Sequence, residues 1–175
     1  MDEVLNHITI PLKGLTHGEH VFDFVLNGEF FQAFENTQIK DADCSVSVKV
    51  YRQQTVMDVE CDMRGFVIVE CDRCLDDLTL KIDVKRGLTV GFGAVDLDDE
   101  SDDVMVIDSN VGEVDLDQFV YDYICLSLPL VKVHPEGKCD PEMLRRLGAG
   151  SAEEQEEAPE SPFSGLKDLL ENKNN

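Results

Sequence analysis

Two cysteines stand three positions apart in Cys71-Asp72-Arg73-Cys74. That spacing can bring both thiols to one side of a tight turn, where they can share a metal ion or a disulfide. Downstream, His134 and Cys139 add an imidazole and a third thiol. Three sulfurs and one ring nitrogen are a donor set that closes around zinc, so Cys71, Cys74, His134 and Cys139 form the candidate metal set. One CxxC is half of such a site, and Pro135 and Gly137 make the interval before Cys139 a loop. Cys61 is a substitute ligand. In the plainer reading Cys71 and Cys74 are small packing residues at a strand end, and His134 is an ordinary loop histidine. A thiol–disulfide role is a third reading, and the surroundings disfavour it. Redox pairs sit at a helix N-terminus, where the dipole lowers the pKa of the first thiol. Here strand-like runs lie on both sides, and Asp72, Asp76 and Asp77 work against a thiolate.

The elements that must position this set read mostly as strands. The CxxC pair follows the apolar run 65–69 and precedes the alternating run 78–84, so it occupies a turn between two strands. Cys44, Val46, Val48 and Val50 share one face of a strand. Met57, Val59, Cys61 and Met63 share another, with Asp58, Glu60 and Asp62 opposite. Residues 7–12 and 20–26 are shorter candidates, the first at an edge because of Pro11. Asn27-Gly28 reads as a turn, and residues 29–34 fit a helical turn or a strand equally. Arg64-Gly65 reads as another turn. The stretch after Cys74 continues to Phe92 as one long strand or a bent pair. Links this short exclude helical crossovers and give an antiparallel meander. Residues 104–107 make a last short strand. Residues 113–128 have helical spacing, with Leu116, Phe119, Val120, Tyr123, Ile124 and Ser127 on one face. Asp115 caps the start and Pro129 stops the end. The expected fold is α+β, a mainly antiparallel β sheet or partly closed barrel with one packed helix near the C-terminal side. Residues 1–147 form the globular domain, and 148–175 a mobile acidic linker with a short amphipathic end.

The chain carries 37 Asp and Glu against 15 Lys and Arg over 175 residues, a formal net charge of -22. Such a polyanion repels phosphate backbones, so a direct, charge-driven grip on nucleic acid is not expected. Arg73, Lys85 and Arg86 are too few for a nucleic-acid groove. A basic protein is the natural partner. Asp98, Asp99, Glu100, Asp102 and Asp103 belong to an acidic run that lacks the ligand order and central glycine of a calcium loop. They form a solvated segment or a surface for a cationic partner. Phe163, Leu166, Leu169 and Leu170 recur at helical spacing and are a candidate docking stripe at the end of the linker. No nucleophile–base pair and no glycine-rich phosphate loop is present, so neither an enzyme nor a small-molecule substrate is expected. No run is apolar for long enough to span a bilayer, and the first residues lack the pattern of a secretory leader. A cytoplasmic setting with reduced thiols is expected.

Four features in order resemble the YceD family, the large ribosomal RNA subunit accumulation proteins. They are residues 69–75 around the CxxC pair, the acidic approach to Asp115-Leu116, the Leu126-Ser127-Leu128-Pro129-Leu130-Val131 run leading to His134 and Cys139, and the terminal 161–166 segment with Leu169. The resemblance implies a bacterial cytoplasmic factor, non-enzymatic, needed for accumulation of large-subunit ribosomal RNA. Its expected partner is a basic ribosomal protein or an RNA-processing enzyme. A zinc-stapled adaptor with an indirect effect on ribosome assembly is the alternative. Some members carry extra cysteines after the Leu-Pro segment; this chain has only Cys139 there, followed by Asp140-Pro141-Glu142.

Overall fold

The computed structural model describes residues 7–35, 37–93, 103–108 and 110–153. Alternation in the sequence becomes three long strands, β3 (Ile39–Arg52), β4 (Val56–Glu70) and β5 (Asp77–Phe92). With β2 (Gly18–Asn27) and β6 (Val104–Ile107) they form a five-stranded sheet in the order β2-β3-β4-β5-β6. β1 (Thr9–Pro11) pairs with β7 (Glu113–Asp115) in a separate two-stranded ribbon, where Pro11 breaks no central ladder. The fold is α+β and mostly antiparallel, and the sheet is open: among the described residues β2 and β6 do not meet.

The inward faces follow period two. Cys44, Val46, Val48 and Val50 on β3 are buried, as are Met57, Val59, Cys61 and Met63 on β4. Helix α1 (Gly28–Gln32) packs on β3, and α2 (Asp117–Ser127) packs on β4 and β5. From α2, Val120 and Ile124 are fully buried, each worth about 1.5–3 kcal/mol in removed apolar surface. The chain divides into two compact units, one ending at Val133 and the other beginning at His134. The second unit holds a loop and helix α3 (Pro141–Glu153).

Four sequence expectations change. Asn27-Gly28 is no hairpin turn: Asn27 Oδ1 accepts hydrogen bonds from the N–H groups of Glu29 (3.0 Å) and Phe30 (3.4 Å), capping α1. A Cβ on Gly28 would lie 2.5 Å from Asp41 Oδ1, so the close approach of β3 requires glycine there. Arg64-Gly65 is no turn either, because β4 runs straight through it. Gly65 lets β3 come close, since a Cβ would stand 2.1 Å from the Asp43 carbonyl oxygen. The meander is not wholly antiparallel. β6 runs parallel to β5, from Thr89 beside Val104 to Phe92 beside Ile107, and the 93–103 interval is much longer than a hairpin turn. Finally, the stretch read as one helix from 113 begins as strand β7. Asp115 still serves the helix, its Oδ1 accepting from Asp117 N–H at 2.8 Å.

Candidate metal centre

The link between β4 and β5 is a compact turn. Leu75 N–H donates to the Cys71 carbonyl at 2.9 Å, and Cys71 N–H donates to the Asp76 carbonyl at 2.9 Å. Closing the turn in so few residues forces Leu75 into the left-handed region, at φ 62°. Its side chain stays 55% exposed, while Cys71 and Cys74 turn inward and are buried. The pair therefore lies in a strand-to-strand turn and not at the start of a helix, which removes the dipole that activates redox cysteines.

A second segment of the same unit is tied to this turn. Asp72 N–H donates to the Lys132 carbonyl at 2.7 Å, and Lys132 N–H donates to Asp72 Oδ2 at 2.6 Å. Lys132 Nζ reaches Gln38 Oε1 at 3.0 Å and lies 3.8 Å from Asp72 Oδ1. Asp72 thus anchors the chain two residues before His134. Its role was not legible in the sequence, because its partner stands 60 positions away.

The ligand atoms of Cys71, Cys74, His134 and Cys139 all lie within 4.8 Å of one another. The three cysteines are buried and His134 is partly buried. Structural zinc takes four such donors in a tetrahedral arrangement, which is the number and type present here. Three thiolates and a neutral imidazole are soft donors suited to zinc. The cluster could hold a metal. Cys61 is not in this group. It sits in the middle of β4, fully buried, and burial pushes its thiol up to about 12.

The other sequence candidates divide. Asp98, Asp99, Glu100, Asp102, Phe163, Leu166, Leu169 and Leu170 lie outside the described residues. Asp103 is described, and it engages the fold itself: its carboxylate accepts from the Tyr123 hydroxyl, and its carbonyl accepts from Thr89 N–H at 3.0 Å. Tyr123 also lies under the Arg86 guanidinium, 5.2 Å from the ring centre.

A family model described as "Large ribosomal RNA subunit accumulation protein YceD" matches residues 59–170. The chain belongs to the YceD family. The match runs from near the start of β4 through Cys71, Cys74, His134 and Cys139 to Leu170, and the family's name implies a role in accumulation of the large ribosomal RNA subunit. No curated protein and no solved structure matches the chain. Among the described residues no helix is long and apolar enough to cross a membrane.

Proposed function

We propose that this YceD-family protein is a non-enzymatic cytoplasmic factor that supports accumulation of large-subunit ribosomal RNA by binding a basic ribosomal protein or an RNA-processing enzyme. The observation that carries the reading is the net charge of -22 on a family member. A polyanion attracts cationic polypeptides and repels nucleic acid, so RNA is reached through the partner. The test is capture by the purified full chain from a lysate treated with nuclease. Retention of basic ribosomal proteins or a processing enzyme is expected. Capture that disappears with the RNA would show that the protein bridge is the wrong account.

A second reading concerns the metal. The clustering of Cys71, Cys74, His134 and Cys139 supports a zinc-stapled adaptor whose effect on ribosome assembly is indirect. In that reading zinc supplies structure and no reaction, with all four positions taken by protein donors. Asp72 and Lys132 hold the CxxC turn in register with the segment that precedes His134. Elemental analysis of protein purified without chelator reads the occupancy directly. Less than a tenth of an equivalent of zinc would leave the cluster as packing residues.

A further inference from the structure

Strand β2 ends the five-stranded sheet, and among the described residues β3 is its strand neighbour. In an antiparallel pair every second residue turns its N–H and C=O away from the partner. Over its ten residues β2 therefore carries a row of backbone groups on its open side. Edge strands are commonly protected by lysine, proline or a bulge. β2 contains no Lys, Arg or Pro, and its pairing runs without a register shift from Gly18 beside Arg52 to Asn27 beside Asp43.

Its side chains describe what would fit alongside. Val21 and Val25, on the face away from the core, are 55% and 56% exposed. Between them stands Asp23, and Glu19 precedes them on the same face. On the other face Phe22 and Phe24 are half-buried. Glu19 is engaged by Lys49 at 3.0 Å, whereas Asp23 makes no ion pair among the described residues.

We propose that β2 is a docking edge that takes an extended, positively charged segment of a protein partner as an added strand. The inference rests on the basic-partner reading above and names the surface that would serve it. Charge selects the occupant. Opposite charges facing each other across two strands stabilise the pairing, and like charges destabilise it. A second copy would bring Glu19 and Asp23 against their own kind on a chain of net charge -22. This chain's own C-terminal stretch carries Glu154, Glu156, Glu157 and Glu160 and is repelled in the same way. A strand with Lys or Arg opposite Asp23 and apolar residues opposite Val21 and Val25 meets no such penalty, and main-chain hydrogen bonds supply the rest.

The probe is a synthetic peptide, Lys-Thr-Val-Thr-Lys-Thr-Val-Thr-Lys-Thr, with a control in which Glu replaces each Lys. Amide hydrogen exchange of the full chain should slow across residues 18–27 when the lysine peptide is added. Asp23→Lys, an exposed substitution, should weaken that peptide about tenfold and bind the glutamate peptide better than the unaltered chain does. Unchanged exchange in β2, equal affinity for both peptides, or a dimer in sedimentation that closes over β2 would each overturn the docking edge. Capture from nuclease-treated lysate separates this inference from the reading beneath it. Basic proteins retained equally by Asp23→Lys would sink the edge and spare the basic partner. Peptide addition at β2 without capture of any basic protein would support the edge and sink the partner reading.

Discussion

Cys44 and Cys61 are buried as deeply as Cys71 and Cys74, yet the two pairs are in different chemical situations. Cys44 and Cys61 lie on neighbouring strands among aliphatic side chains, and desolvation pushes their thiols up to about 11 and about 12. A thiol held protonated in that way is neither a nucleophile nor a ligand at neutral pH. Cys71 and Cys74 lie at the end of the same sheet with an imidazole and a third thiol beside them. Burial alone makes a cysteine inert; burial among converging donors places it where it could serve as a ligand. The difference comes from what the turn brings together and not from how much water is excluded.

The largest test of that contrast is a pair of substitutions. Cys74→Ser should abolish stoichiometric zinc and cost at least about 3 kcal/mol of folding stability, because metal binding and folding are coupled. Cys61→Ala should keep the metal and cost about 1–2 kcal/mol for the lost core volume. Elemental analysis and urea unfolding read both. Equal losses of stability with no metal in either protein would erase the distinction between the pairs.

Reactivity gives the next test. A chelator at pH 8 should raise iodoacetamide labelling of Cys71, Cys74 and Cys139, because removing a metal loosens the segments that bury them, while Cys44 and Cys61 in the sheet remain unmodified in peptide maps. Labelling of Cys61 at a comparable rate would mean that its burial is not protective.

Alkaline pH separates the pairs from the other side. The ordinary thiol value is 9.0, and the folded values of Cys44 and Cys61 are raised above it. Their contribution is therefore fully present below about pH 9 and is lost as pH rises toward 11 and 12, where the unfolded chain has already shed the protons. Stability should fall across that window, and a Cys44→Ala, Cys61→Ala double variant should fall less steeply. The same slope in both proteins would assign the alkaline loss to other groups.

The smallest effect belongs to the turn. Leu75→Gly removes a left-handed leucine and should raise stability by about 1 kcal/mol with the metal retained. A loss of stability would mean that the exposed leucine does something besides complete the turn.

Much of the sheet could be read directly from residue order. Period-two alternation in 44–50 and 57–63 named the buried faces, and the apolar runs around Cys71 and Cys74 located the turn. Local signals failed where they fit two structures. Asn27-Gly28 suits a hairpin or a helix cap, and the packing of Phe30 and Phe31 into the core selected the cap. Gly65 suits a turn or a close approach of strands, and the Asp43 backbone beside it selected the approach. Helix α3 went unread because glycines at 148 and 150 interrupt its pattern.

The amino-acid order alone determined which residue types were available: three thiols and a histidine for a metal, alternating strands for a sheet, and an acidic surplus for the choice of partner. Tertiary structure decided which of them meet. Asp72 and Lys132 are bonded across 60 positions, β6 turned parallel to β5, and Cys61 was left in the core while Cys139 joined the cluster. The reason is physical. Periodicity and turn chemistry act over a few neighbouring residues, whereas long-range pairing depends on which apolar faces can be buried together, and no local pattern carries that information.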